Sequence, residues 1–225
     1  GESVLNEEFL NQLISAIGKD RIIISVDAIN GKIAVKGWTE TVNIPLVEGA
    51  KQAQKFCSEL LFTCVEKEGC MQGTNMDYVK QVRDAVSCRV VAAGGVSSVE
   101  EIAALEKIHC DVQLGMALYT GKVSLNDAFV ACMDFEKSPL IPVIAQSVNG
   151  EVLMQAYANK ESLLKTFDCK KLTFYSRSRK ELWTKGETSG NFLEVVRLRA
   201  DCDRDCILAT VIPVGPSCHT GSWTC

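Results

Sequence analysis

Through its first 132 residues the chain alternates helix-patterned and strand-patterned segments at short intervals, and few folds accept that alternation. Residues 3–17 set Leu5, Phe9, Leu10, Leu13, Ile14 and Ile17 at helical spacing, with Gly18 as the stop. Residues 21–27 (RIIISVD) form a nearly continuous β-branched run, the pattern of a strand buried on both faces. A helix over 46–57 then precedes a strand over 59–65. A helix over 75–86 precedes a strand over 89–93, a helix over 98–108 precedes a strand over 111–115, and a helix over 124–132 closes the series. Four strands so spaced predict a parallel sheet with right-handed crossovers, in which active residues gather at the C-terminal strand ends. Those ends carry Asp27, Thr63 through Glu68, Gly94-Gly95, and Gly115-Met116-Ala117. Gly94-Gly95 before a helix start at Ser97-Ser98 is a candidate phosphate cradle, with an ordinary tight turn as the competing reading.

The texture changes at Met133-Asp134-Phe135-Glu136-Lys137-Ser138-Pro139, which places a boundary between domains 1–133 and 134–225. Beyond it strands dominate: 142–148, an Asn149-Gly150 hairpin turn, 151–157, then 172–179, 192–200 and 206–214. Asn159 can cap a short helix reaching Phe167. On a strand over 172–179, Arg177 and Arg179 share one face and offer forked donors to a phosphate. A solvated edge is the bland alternative. Residues 182–191 (LWTKGETSGN) read as a polar loop for substrate, with Trp183, Lys185, Glu187, Thr188 and Ser189 as its candidate contacts.

The last 25 residues concentrate metal-binding chemistry. If 201–205 is extended, Asp201, Asp203 and Asp205 share a face and repel one another unless a cation such as Mg²⁺ sits between them. A solvated acidic turn is the alternative. Cys202 then points away from that ion. Cys218 and Cys225, separated around Gly221, can converge on a zinc ion, and three thiolates leave the fourth position open to water; three unrelated thiols are the alternative. His219, beside Cys218, is placed to move protons rather than to ligate, whereas His109 lies at an ordinary helix end.

Composition limits the remaining classes. A net charge of -4 argues against nucleic-acid binding, and no apolar run reaches the length of a membrane span. Eleven cysteines with no secretory leader pattern imply reduced thiols, in the cytosol or an organelle stroma, and a cytoplasmic protein is the expectation. Cys57, Cys64, Cys88, Cys110, Cys132 and Cys206 sit in apolar patterns and read as core residues.

Two resemblances sharpen these readings. Residues 27–41, Ala93-Gly94-Gly95-Val96-Ser97-Ser98 and Gly115-Met116-Ala117-Leu118-Tyr119 resemble later strand ends of ProFAR isomerase, a (βα)₈ barrel of histidine biosynthesis. The likeness implies that residues 3–132 are the C-terminal half of such a barrel, four βα units without the first four strands. Asp27 and Glu68 match active-site carboxylates of that family, Glu68 with one methylene more than the family's Asp. The resemblance thus implies a surviving phosphate site, no isomerase activity in this chain alone, and sheet edges to be covered. The cover would be a second half barrel, a missing segment or the other domain.

Residues 134–225 resemble phosphoribosyl-AMP cyclohydrolase through Trp183-x-Lys185-Gly186-Glu187-Thr188-Ser189-Gly190-Asn191, Asp201-Cys202-Asp203-x-Asp205 and Gly215-Pro216-x-Cys218-His219-Thr220-Gly221. Arg204 stands where glycine is usual, and Cys206 where alanine is common. This likeness implies a mostly-β α+β domain and hydrolytic opening of the adenine ring of 1-(5-phosphoribosyl)-AMP between N1 and C6. It implies Zn²⁺ on Cys202, Cys218 and Cys225, and Mg²⁺ on Asp201, Asp203 and Asp205. It also implies a homodimer whose zinc ligands come from both subunits, proton transfer by His219, and substrate phosphate held by Arg177, Arg179 and Lys185. Both chain ends look cut, and the family often continues into a pyrophosphohydrolase domain. The rival readings are an isomerase completed by a missing N-terminal half and a non-catalytic zinc-stabilised scaffold.

Overall fold

The structure, a computed structural model, describes residues 6–225. It divides into two compact units, Gly1–Ala128 and Phe129–Cys225.

The first unit opens with helix α1 (Glu7–Ile17), whose N-cap Asn6 accepts a hydrogen bond from the Phe9 amide at 3.0 Å. Ser3, Val4 and Leu5 of the expected helix lie outside the described residues. Strand β1 (Ile23–Ile29) follows, then β2 (Lys32–Val35), β3 (Glu40–Pro45), α2 (Leu46–Ala53), β4 (Glu59–Cys64), α3 (Met76–Ala85) and β5 (Arg89–Ala93). Next come α4 (Val99–Lys107), β6 (Asp111–Val112), α5 (Met116–Tyr119) and α6 (Leu125–Ala131), within which the division between units falls.

The strands form one sheet in the order β3-β2-β1-β4-β5-β6. As expected, β1, β4, β5 and β6 run parallel, in registers such as Ile23↔Glu59, Glu59↔Arg89 and Val91↔Asp111. Three features differ from expectation. The chain after Asp27 holds two strands that the helix–strand alternation did not predict: β1 turns back on β2 through Asn30 and Gly31, both with positive φ, and β3 adds a further antiparallel strand. Asn-Gly between apolar runs is a hairpin signal that went unread there. β1 is also one-sided. Ile24, Val26 and Ala28 are buried while Ile23 is 59% exposed, so the β-branched run does not mean burial on both faces. Finally, the strand expected over 111–115 ends after two residues, and α5 begins at Met116. The core is built from Leu60 and Phe62 of β4 against Val79 and Val82 of α3, with Leu105 of α4, all fully buried.

The second unit contains β7 (Ile141–Ser147), β8 (Val152–Ala158), α7 (Lys160–Cys169), β9 (Thr173–Ser176), β10 (Glu181–Thr184), β11 (Leu193–Ala200) and β12 (Ile207–Pro213). Four strands pair in the order β11-β12-β7-β8; β12 and β7 are parallel and the other pairs antiparallel. β9 and β10 form a separate ribbon. Alternation along β7 sends Ile141, Val143 and Ala145 into a core shared with Leu153, Leu163, Phe174, Ile207, Ala209 and Val211. The β7–β8 turn falls at Val148-Asn149-Gly150, with the Ser147 amide donating to the Glu151 carbonyl at 2.8 Å. Asn159 caps α7 reciprocally with Ser162.

The strand expected over 172–179 stops at Ser176. Residues 177–180 turn into β10, which occupies Glu181–Thr184, part of what the sequence suggested was loop. That turn contains no Gly, Pro or Asn; it closes with Lys180 at φ 58° and with the Lys180 amide on the Ser176 carbonyl at 2.8 Å. Composition therefore left no mark of it. Arg177 and Arg179 are turn residues, not strand neighbours.

Candidate active site

The acidic segment Asp201–Asp205 is a turn rather than an extended strand. Asp201 Oδ1 accepts the amides of Asp205 and Cys206, each at 3.1 Å. Arg204, with φ 63°, supplies the left-handed residue that the bend requires, which explains why glycine suits this position. Curling brings Asp201, Asp203 and Asp205 together, with one oxygen from each within 4.8 Å of the others. A cation meets them from an unforeseen direction. Lys137 Nζ lies 2.7 Å from Asp203 Oδ2, 3.0 Å from Asp205 Oδ2 and 3.9 Å from Asp134. The ammonium holds the Asp203 carboxyl below its ordinary range.

The closing loop is folded on itself by Cys218 N–H on the Ser222 carbonyl at 3.0 Å and Ser217 N–H on the Trp223 carbonyl at 3.1 Å, with Gly221 at φ 90°. It is tied to β8 by Cys225 N–H on the Leu153 carbonyl at 2.8 Å, and Trp223 Nε1 donates to Glu151 at 3.0 Å. The Cys218 and Cys225 thiols are near enough to shift each other's pKa. Thr220 Oγ1 donates to Cys218 Sγ at 3.1 Å and draws that thiol's pKa down, while the neighbouring Cys218 pushes the Cys225 thiol up. His219 is exposed, its Nδ1 3.9 Å from Cys218 Sγ. Cys202 is exposed on the acidic turn. Among the described residues of one chain it does not converge with Cys218 and Cys225.

Lys185 is 9% exposed, set in from the surface rather than on an open face. Its Nζ donates to the Asn191 carbonyl at 3.1 Å. Burial lowers its pKa, opposed by the neighbouring Cys225 and Cys218 thiols. Two glycines lock this loop. A Cβ on Gly186 (φ +91°) would lie 2.5 Å from the Asn191 backbone, and one on Gly215 would lie 2.4 Å from Asn191 Oδ1. The Lys185–Asn191 segment and the Gly215–Gly221 segment therefore meet at Asn191. Trp183 packs on Phe174 with centroids 5.1 Å apart. Glu187 accepts from the Thr184 amide at 3.4 Å, Ser189 Oγ accepts from the Asn191 amide at 3.3 Å, and Thr188 is exposed. Arg177 stacks 4.1 Å over the Tyr157 ring, and Arg179 pairs with Glu181 at 3.2 Å, so the two do not form one forked surface.

In the first unit, Glu68, Gly94, Gly95 and Gly115 line one hollow together with Gln113 and Met116. Asp27 and Thr63 are not among its lining residues. Asp27 accepts from Ser25 Oγ at 2.7 Å and Trp38 Nε1 at 2.9 Å, and Thr63 is buried. Both glycines are sterically required: a Cβ would come 2.7 Å from the Cys64 carbonyl at Gly94 and 2.6 Å from the Gly73 carbonyl at Gly95. The cradle expected at Gly94-Gly95 thus lies on the hollow, while at the helix start that follows it Glu101 accepts the Ser97 amide at 2.9 Å and also the Thr74 amide.

The histidine biosynthesis protein family matches residues 2–124, and the phosphoribosyl-AMP cyclohydrolase family matches residues 154–225. The chain belongs to the histidine biosynthesis protein family, and within its second unit residues 154–225 match the phosphoribosyl-AMP cyclohydrolase family. The histidine biosynthesis bifunctional protein HisIE of Escherichia coli K12 is 54% identical over 95 residues, covering 41% of this chain and 47% of that protein. HisIE of Photobacterium profundum is 49% identical over 100 residues, with 44% and 48% covered. The chain thus spans about half the length of the curated relatives it matches.

Three residues of the second unit escaped sequence reasoning. Lys137 passed as linker, because 66 residues separate it from Asp203. Asn191 was seen only as the end of a motif. Ser217 is 4% exposed with an unpartnered Oγ beside Cys218, and no pattern in the sequence distinguishes it from a loop serine.

Proposed function

We propose that the second unit hydrolyses 1-(5-phosphoribosyl)-AMP, opening the adenine ring between N1 and C6. The observation that carries this is the gathering of the Cys218 and Cys225 thiols near the Lys185 ammonium, inside a segment that matches the cyclohydrolase family. Two neighbouring thiols, one with a lowered pKa, suit a thiophilic divalent ion: neighbouring thiolates repel, and a cation relieves the repulsion. Cys218, Cys225 and an exposed Cys202 of the partner subunit would hold zinc in a homodimer. Bound there, zinc supplies a water acidified to a pKa near neutrality. His219, exposed next to Cys218, takes a proton from the water side and returns it to the departing ring nitrogen. Lys185 favours the thiolate forms. Arg177 and Arg179, on the turn before β10, neutralise phosphate. Asp201, Asp203 and Asp205 offer carboxylates for Mg²⁺, a hard ion suited to oxygen. Free thiols throughout suit a reducing, cytoplasmic compartment, and no helix among the described residues is long and apolar enough to cross a membrane.

The test is incubation of the chain with the substrate, Zn²⁺ and Mg²⁺, with product read by mass. A gain of one water, abolished together with zinc retention by Cys218→Ser, supports the reading. Zinc retention without turnover in the wild type would favour the scaffold.

For the first unit we infer half of a (βα)₈ barrel, supported by the four parallel strands and by the gathering of Glu68, Gly94, Gly95 and Gly115 at their C-terminal ends. Its isomerase activity is absent without a complementing half. Turnover of the isomerase substrate by this chain alone would refute that.

A further inference from the structure

Lys137 is held against the acidic turn by a joint built from two segments far apart in the chain. The Asp134 amide donates to the Arg204 carbonyl at 2.8 Å, which fixes the 134–137 turn on the 201–205 turn. Asp134 Oδ1 in turn accepts the Glu136 amide at 3.1 Å and the Lys137 amide at 3.3 Å, so the Lys137 backbone is oriented by the same residue. Its ammonium then bonds Asp203 and Asp205 at once, at 2.7 and 3.0 Å. An ammonium in that position engages two of the three carboxylates that would hold a divalent ion.

We propose that Lys137 is a tethered counter-cation, which occupies the three-carboxylate turn when no divalent ion is bound and is expelled when one binds. The proposal rests on reading Asp201, Asp203 and Asp205 as a Mg²⁺ site. A tethered group lowers apparent affinity by the fraction of time the site is open. It also keeps the carboxylates from repelling one another while the metal is absent, so the turn stays folded and ready. Lys137 thereby sets the Mg²⁺ concentration at which the site fills, and a chain short of Mg²⁺ keeps its acidic turn closed on a charge of its own.

The test compares the wild-type chain with Lys137→Met, both folded by circular dichroism, using Mg²⁺ titration calorimetry and thermal melts with and without Mg²⁺. If the ammonium fills the site nine-tenths of the time, Lys137→Met binds Mg²⁺ about tenfold more tightly. Its melting temperature falls in the metal-free state and is restored by Mg²⁺, so its gain on adding Mg²⁺ exceeds that of the wild type. In the wild type, the Lys137 ammonium proton signal in ¹⁵N-resolved spectra is protected without metal and is lost as Mg²⁺ is added. Equal Mg²⁺ affinity in both chains overturns the counter-cation while leaving the metal site intact. Binding by neither chain overturns the site itself, and the counter-cation with it. If Lys137→Met does not fold, the wild-type ammonium signal decides alone: its persistence at saturating Mg²⁺ overturns the proposal.

Discussion

Cys218 and the buried thiols show how one residue type splits by surroundings. Burial pushes Cys57, Cys64 and Cys110 up to about 11, whereas the Thr220 hydroxyl lowers Cys218. In metal-free protein at neutral pH, iodoacetamide should label Cys218 well before those three, with peptide mass mapping as the readout. Thr220→Val removes the hydrogen bond that favours the thiolate, so the pH midpoint of Cys218 alkylation should move upward. Outer-shell changes typically cost up to about a hundredfold in metal affinity, so Cys218→Ser, which removes a ligand, should cost more than that in turnover. Gly186 is a different kind of residue-scale constraint. Its positive φ and its approach to the Asn191 backbone predict that Gly186→Ala destabilises by about 2 kcal/mol or more in urea unfolding.

At the scale of elements, local signals were read well where they were purely local. The Asn159 cap falls where the sequence placed it, and β7 ends within one residue of its expected end. Asn159→Ala should lower stability by about 1 kcal/mol, measured by denaturant midpoint, because an amide of the first turn of α7 loses its acceptor. The misreadings have equally local causes. The β1–β2 turn carried its Asn-Gly signal in a segment read for its motif instead, and the turn before β10 carried no signal. Half of the six cysteines assigned to the core are fully buried, Cys57, Cys64 and Cys110, while Cys88, Cys132 and Cys206 are only partly covered. An apolar neighbourhood in sequence does not decide which face a residue occupies.

For the whole molecule, each unit has its own core, and the second leaves Val196 of β11 and Ile212 of β12 exposed on paired strands. With Cys202 outside the Cys218–Cys225 pair in a single chain, zinc binding should depend on dimerisation. Val196→Glu should lower both the dimer fraction in sedimentation velocity and the zinc content, with the second-unit core unchanged. Zinc at full stoichiometry in a monomer would oppose the shared site. What the sequence determined by itself is what short-range chemistry writes: the periods of helices and strands, the caps, the parallel order, and the motifs rich in carboxylates and thiols. The tertiary structure alone decided which of these residues touch. Lys137 reaches Asp203, and Asn191 is clamped between Gly186 and Gly215, because those contacts depend on how strands stack across long separations. No local pattern of side chains encodes that geometry.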